Sequence, residues 1–138
     1  MLVFFGLTII FPIIISLVND DGNIGSFLFS LLITILAGLF LYLPNKKCSN
    51  DIKTKEGFLI VVLFWVVLSA FASIPFILDP YLQMSFADAF FESVSGWTTT
   101  GATVINNLDS LPMSILMYRQ QLQWLGGVGI VILVLAIL

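Results

Sequence analysis

The stretch that decides the fold is Thr98-Thr99-Thr100-Gly101-Ala102-Thr103, a polar run between two apolar segments. The segment before it begins at Ser85 and is too short to cross a bilayer, whereas the one after it is long enough. Irregular backbone at membrane depth is tolerated only where it is buried in protein or lines a water-filled cavity. Carbonyls and hydroxyls along such a cavity can replace the water around a cation. The run therefore predicts a re-entrant pore loop.

The composition of this 138-residue chain is that of an integral membrane protein. It is 59% hydrophobic and only 9% charged, whereas soluble domains carry roughly 25% charged residues. The chain has no histidine and a single cysteine, Cys48, which excludes histidine-based catalytic pairs, histidine metal sites and an internal disulfide. We therefore expect neither enzymatic activity nor a bound cofactor.

Four apolar stretches predict an all-α membrane fold, because a spanning helix needs about 20 such residues. They cover residues 2–18, 26–43, 58–78 and 113–138. The first two form an N-terminal pair within residues 1–45, and the first is expected to continue through Pro12. The other two flank the polar run in one helix–pore loop–helix unit at residues 57–138. The last stretch runs to the final residue, which we interpret as a truncated end.

The charged residues predict an orientation in the membrane. Four lysines fall in the predicted loop at residues 46–56: Lys46, Lys47, Lys53 and Lys55. The positive-inside rule places such a loop in the cytoplasm. The N-terminus is then cytoplasmic, and residues 85–107 enter from and return to the outer face. The outer segments are acidic, which raises the local cation concentration, although acidic outer loops are also common without any such role.

Residues 85–97 predict a helix that stops partway through the membrane. Ser85 is a candidate N-cap, and Asp88 stands where a capping box usually has Glu or Gln. Thirteen residues give roughly 20 Å of helix, short of the hydrocarbon core of about 30 Å. The C-terminal end of a helix carries about half a negative charge, which favours a cation near the polar run.

The predicted cation ligands are Thr98, Thr99, Thr100 and Gly101. Glycine accepts backbone angles that are closed to other residues, so Gly101 would let the carbonyls of residues 99–101 face one axis. Alone, this tetrapeptide could equally be an ordinary polar turn. The short helix before it and the long segment after it favour the pore interpretation.

Two charges are expected at membrane depth, where charges are costly and usually paired. We predict that Glu92 of the short helix forms an ion pair with Arg119 of the last segment. The alternatives are that Arg119 pairs with Asp109 or snorkels to the interface. Further along, Gly126-Gly127-Val128-Gly129 predicts close helix packing, with a kink or gate as the alternative.

These motifs resemble the TrkH/KtrB superfamily of potassium transporters, and the two helices before the pore unit are TrkH-like. The residues that carry the resemblance are Phe90-Phe91-Glu92-Ser93-Val94-Ser95-Gly96-Trp97 with the polar run, Leu108-Asp109-Ser110-Leu111-Pro112, Tyr118-Arg119-Gln120 and Gln123-Trp124-Leu125-Gly126-Gly127-Val128-Gly129. The resemblance implies a potassium-channel-like fold of four such repeats in one polypeptide, of which this chain holds one. It maps the central filter glycine onto Gly101, with Thr98, Thr99 and Thr100 as its neighbours.

The resemblance also implies a function: potassium uptake across a bacterial or archaeal cytoplasmic membrane, with dehydrated K⁺ as the transported ion. It further implies a homodimer of the full-length protein and a cytosolic TrkA-like nucleotide-binding regulatory subunit, with no nucleic acid as partner. Two alternatives stay open. One is a secondary transporter whose broken helix binds solute at the midplane, and the other is a non-conducting truncated remnant.

Overall fold

A computed structural model describes residues 1–45 and 54–137, with side chains described for residues 1–43 and 62–131. Within these ranges the chain is helical and has no β-strand, as predicted. The helices are α1 Leu2–Thr8, α2 Ile10–Asn19, α3 Ile24–Asn45, α4 Thr54–Ala72, α5 Ile74–Leu78, α6 Phe86–Trp97 and α7 Met113–Ile137. A 3₁₀ turn at Leu108–Ser110 precedes α7. Most of the predicted basic loop, with Cys48, and the final residue lie outside the described residues.

Two helical stretches among the described residues are long and apolar enough to cross a membrane. They are Leu2–Asn19 and Ile24–Leu43. A third apolar stretch, Val62–Leu78, is shorter. The N-terminal helices pack on α3 and on α7, and α6 lies between α4 and α7.

The first apolar stretch is two helices rather than the single helix predicted through Pro12. Proline has no N–H to donate to the carbonyl four residues earlier, and its ring crowds that carbonyl. The helix therefore breaks at Ile9, where the Ile9 N–H donates to the Gly6 carbonyl at 3.1 Å. The Nε2 of Gln121, on α7, donates to the Thr8 carbonyl at 2.9 Å. A side chain from a distant helix thus supplies the donor that Pro12 lacks.

A second break, between α4 and α5, divides the stretch that was predicted as one helix at residues 58–78. Pro75 lies in the first turn of α5, where its missing N–H interrupts the helical ladder. The Tyr118 hydroxyl of α7 donates to the carbonyl of Ala72, the last residue of α4, at 2.9 Å. Helix α7 therefore places a hydrogen-bond donor at both breaks.

Glycines let α6 lie directly against α7. A Cβ added to Gly96 would come within 2.9 Å of the Leu122 Cβ, and one added to Gly126 would overlap the Trp97 carbonyl group. Helix α7 continues through the glycines as one element. The glycine run at residues 126–129 thus serves packing at Gly126, the interpretation that the sequence favoured.

An aromatic cluster around Trp97 holds the N-terminal helices and α4 against the end of α6. The Trp97 ring lies 5.5 Å from the Phe5 ring, 6.0 Å from Trp65 and 6.5 Å from Phe64, measured between centroids and in edge-on geometry. Edge-to-face pairs of this kind add to the energy of simple burial. The last residue of α6 is therefore fixed in place by aromatic rings from two helices, α1 and α4.

Candidate functional site

The short helix α6 begins with a side-chain cap. The Asp88 N–H donates to Ser85 Oγ at 3.2 Å, and the Ser85 hydroxyl donates to Asp88 Oδ2 at 2.7 Å. In a full capping box the second side chain accepts from the backbone N–H of the cap residue. The Asp88 carboxylate, one methylene shorter than that of Glu, accepts from the Ser85 hydroxyl instead. Of the two hydrogen bonds of a capping box, only the one from the Asp88 N–H to Ser85 Oγ is therefore formed.

Ser95 ties the end of α6 to the residues that follow, which we call the polar segment (residues 98–104). Its carbonyl accepts the N–H groups of Thr100 at 3.0 Å and Gly101 at 3.3 Å. Its hydroxyl donates to the Ala102 carbonyl at 2.6 Å. The sequence does not single out Ser95, because a serine in the last turn of an apolar helix carries no distinctive signal.

The backbone φ angle alternates in sign along residues 99–101 of the polar segment. Thr99 has a φ of +57° and Gly101 a φ of +73°, whereas Thr100 between them lies outside the positive-φ region. A positive φ costs glycine little but is unusual for a β-branched residue such as Thr99. Strain of this kind persists only where the surroundings over-determine it, and it clusters at functional sites.

The carbonyls of Thr98, Thr99, Thr100 and Gly101 accept no hydrogen bond from the residues that the structure describes. These four residues are exposed, although the last three residues of α6 before them are buried. The hydroxyls of Thr98 and Thr100 bond each other at 2.8 Å. The segment therefore presents four consecutive backbone acceptors that are available to a ligand.

The opposite end of the polar segment is anchored by Glu92, which is 3% exposed. Its Oε2 accepts from Arg119 Nε at 3.1 Å, so the predicted ion pair is present in place of its two alternatives. Its Oε1 accepts the Val104 N–H at 2.7 Å and the Thr103 hydroxyl. One carboxylate thus joins α6, the polar segment and α7, and the bonds to the segment were not predicted.

The oxygen atoms that the polar segment exposes belong to backbone carbonyls and threonine hydroxyls. Within the described side chains, no group of three or more His, Cys, Asp or Glu residues could hold a metal ion. An open cleft of about 510 Å³ lies beside the far end of the segment, and its lining includes Asp88, Val104 and Asn106. The four free carbonyls do not line this cleft.

Comparisons with known proteins agree with this architecture. Residues 24–138 match the sequence model of the TrkH family, described as a cation transport protein. The Trk system potassium uptake protein TrkH of Halomonas elongata is 52% identical over all of this chain and 29% of its own length. The protein of the same name from Escherichia coli K12 is 46% identical over the same shares.

A solved structure extends the likeness from sequence to fold. The crystal structure of the potassium transporter TrkH from Vibrio parahaemolyticus superposes with a TM-score of 0.93 at 45% identity, over 99% of this chain and 29% of that one. The fold and these matches define a helical membrane protein of the ion-transport class. The chain belongs to the TrkH family of cation transport proteins. It spans about 29% of the length of these relatives, which are transporters rather than enzymes.

Proposed function

We propose that this chain contributes one strand to the selectivity filter of a potassium uptake pathway, and that the carbonyls of residues 98–101 bind dehydrated K⁺. The observation that carries the proposal is that these four carbonyls accept no hydrogen bond from the described residues. Rings of backbone carbonyls are how potassium channels replace the hydration shell of the ion. Relatives of this chain are named potassium uptake proteins.

The short helix adds a favourable field for a cation. Helix α6 has 12 residues and ends at Trp97, directly before the polar segment. The C-terminal end of a helix carries about half a negative charge, which stabilises a cation within the last turn or just beyond it. The positive φ angles of Thr99 and Gly101 support a strand whose carbonyls are turned toward one axis.

Glu92 acts in this proposal as a positioning residue. It does not reach the four carbonyls, but it accepts hydrogen bonds from Val104 and Thr103 at the end of the segment. Arg119 neutralises its charge from α7. Fixing the segment at Ser95 on one side and Glu92 on the other keeps the spacing of the carbonyls constant, which selection between K⁺ and Na⁺ requires.

The remaining features of the system follow the resemblance to the family. We propose that Thr98, Thr99, Thr100 and Gly101 form one of four filter strands, that the path lies in a cytoplasmic membrane, and that the N-terminus is cytoplasmic. We also propose a homodimer of the complete protein and a cytosolic TrkA-like nucleotide-binding subunit as regulator.

The test is Gly101→Ser in the complete protein, with Gly22→Ser as the matched control. Both glycines have a positive φ, of +73° and +75°, and an added Cβ meets nothing closer than 3.9 Å at either position. Backbone strain is therefore matched, and only Gly101 lies in the polar segment. We expect Gly101→Ser to abolish K⁺ uptake or lower its K⁺ over Na⁺ preference at least about tenfold. Equal behaviour of the two variants in an ion flux assay would remove Gly101 from the filter.

A further inference from the structure

The ends of α2, α3, α5 and α7 meet in a polar cluster, which we call the junction: Ser16, Asp21, Asn23, Asp79 and Ser114. Asp21 Oδ2 accepts the Ser114 N–H at 3.1 Å. Its Oδ1 accepts the Asn23 N–H at 3.3 Å and the Ser16 hydroxyl. The Asn23 side chain donates from Nδ2 to Ser114 Oγ at 3.5 Å. These bonds join the turn between α2 and α3 to the start of α7.

Two buried oxygens of the junction lack a donor among the described residues: Asn23 Oδ1 and Asp79 Oδ2. Asn23 is 0% and Asp79 2% exposed. The other Asp79 oxygen, Oδ1, accepts the N–H groups of Tyr81 and Leu82 at 2.8 Å each. Asn23 directly precedes α3 and Asp79 directly follows α5, and these two helix ends meet where the Ser26 hydroxyl donates to the Leu78 carbonyl at 2.9 Å. Buried polar atoms are nearly always paired, so two neighbouring unpaired acceptors require a donor between them.

We propose that Asp79 is protonated in the folded protein and donates from Oδ2 to Asn23 Oδ1, so that one proton closes the junction between the N-terminal helices and the pore unit. A carboxylic acid is a donor through its O–H, and an amide oxygen is an acceptor. A single proton therefore satisfies both oxygens, and it also removes the cost of burying a second negative charge beside Asp21.

The surroundings favour the protonated form. Burial raises the pKa of Asp79 above its ordinary value of 3.8, and the charge of Asp21 acts in the same direction, against the backbone hydrogen bonds from Leu82 and Tyr81. Burial also acts to raise the pKa of Asp21, but hydrogen bonds from Ser114, Ser16 and Asn23 outweigh it and hold that pKa below 3.8. The two pKa shifts have opposite directions, so Asp79 is the one of the two acids that holds its proton more tightly.

The other charged and polar groups around Asp79 do not oppose its protonation. Asp21 is the charged neighbour, in the turn between α2 and α3. The turn before α3 and the start of α7 contribute the neutral side chains of Asn23 and Ser114 to the junction. Arg119, the cation among the described side chains of α7, is bonded to Glu92. No described cation therefore competes with the proton at Asp79.

The proposal fixes the sign of a pH effect. The folded protein binds this proton more tightly than the unfolded chain, so its stabilising effect is complete below pH 3.8 and is lost as the pH rises through the raised pKa of Asp79. The lowered pKa of Asp21 has the opposite effect, lost as the pH falls. Substituting Asp79 alone removes the first pH effect and leaves the effect of Asp21 in place.

The experiment measures the thermal midpoint, Tm, of the complete protein in detergent between about pH 4 and about pH 8. Asp79→Asn keeps a donor for Asn23 Oδ1 and cannot ionise. Asp109→Asn is the control, because it removes the same charge from an exposed acid outside the junction. We expect the Tm difference, Asp79→Asn minus wild type, to grow by about 3 °C or more as the pH rises. Asp109→Asn should follow the wild type.

Several outcomes would overturn the proposal. One is a Tm for Asp79→Asn below that of the wild type at every pH, because the ionised form would then be the stabilising one. Another is a wild-type Tm that rises with added Na⁺ or Ca²⁺ when Asp79→Asn does not respond, since a cation would then bridge the two oxygens. Infrared spectra give a readout that needs no unfolding. We expect a carboxylic acid C=O band that Asp79→Asn lacks, and its absence from the wild type would contradict the proposal.

None of these measurements depends on transport. The proposal about Asp79 can fail while the potassium assignment stands, and the reverse is also true.

Discussion

Gly126 lies so close to Trp97 that a methyl group on its Cα would overlap the Trp97 carbonyl oxygen and come within 2.7 Å of the carbonyl carbon. The end of α6 therefore rests on the bare backbone of α7. This contact fixes the point at which the polar segment begins, one residue after Trp97, and it makes α7 the support of the proposed filter strand.

Gly126→Ala should be strongly destabilising, since the neighbouring atom is a backbone carbonyl that cannot rotate away. We expect a loss of about 2 kcal/mol or more in the free energy of unfolding, at the upper end of overpacking effects. Gly127→Ala is the matched control, because its Cβ would meet only the Thr99 methyl at 3.7 Å. That variant should stay within about 1 kcal/mol of wild type. Equal losses, measured by thermal or denaturant unfolding, would contradict the close contact.

The buried ion pair of Glu92 and Arg119 should show strong coupling. Removing one partner leaves an uncompensated buried charge, at a cost of about 3–5 kcal/mol. We expect Glu92→Gln with Arg119→Met to be less destabilised than the sum of the two single variants, by about 2 kcal/mol. The amide oxygen introduced by Glu92→Gln would still accept the Val104 N–H, so ion uptake should recover in part.

Two further double variants test whether the coupling is specific to Glu92 and Arg119. Exchanging the two charges should not restore uptake, because an arginine at position 92 cannot accept from Val104 or Thr103. Asp109→Asn combined with Arg119→Met should be additive, since Asp109 is exposed. Strict additivity of the Glu92 and Arg119 variants, measured as unfolding free energies, would rule out the coupling.

Thr99 stores backbone strain that glycine would release. A residue with a Cβ loses roughly 1–2 kcal/mol in the left-handed region, so Thr99→Gly should raise the free energy of unfolding by up to about 1 kcal/mol after the entropy cost of glycine. It should also lower the K⁺ over Na⁺ preference, because the strand becomes flexible. Thr100→Gly, at a residue without positive φ, should lower stability instead. Unfolding and flux measurements on both variants check this contrast.

Gln121 should be required for stability because Pro12 has no N–H to donate to the Thr8 carbonyl. Gln121→Leu leaves the Thr8 carbonyl without its 2.9 Å donor, at an expected cost of about 1–3 kcal/mol. Pro12→Ala restores a backbone N–H four residues after Thr8, so the double variant should lose less than Gln121→Leu alone. Gln120→Leu, at an exposed neighbouring position, should have little effect. A double variant less stable than Gln121→Leu would contradict the link.

The sequence by itself determined what depends on local chemistry. The lengths of the apolar stretches and the turn residues between them were enough to predict where the helical stretches lie, though not the breaks at Ile9 and Ser73, because hydrophobic burial and capping act within a few residues. Ser85 as the cap of α6 follows from the same local rules. The Glu92–Arg119 pair was predictable because so few charges lie within apolar segments, and a buried charge requires a partner.

Only the tertiary structure decided which distant groups complete these elements. Gln121 bonds Thr8 across 113 positions of sequence, and Ser114 bonds Asp21 across 93. Residue spacing does not encode such contacts, because they depend on how packed helices bring separate backbones together. The same holds for the positive φ of Thr99 and for the two buried oxygens of Asn23 and Asp79 that lack a donor among the described residues. These are cases in which surrounding packing, rather than local preference, fixes the conformation and the partner.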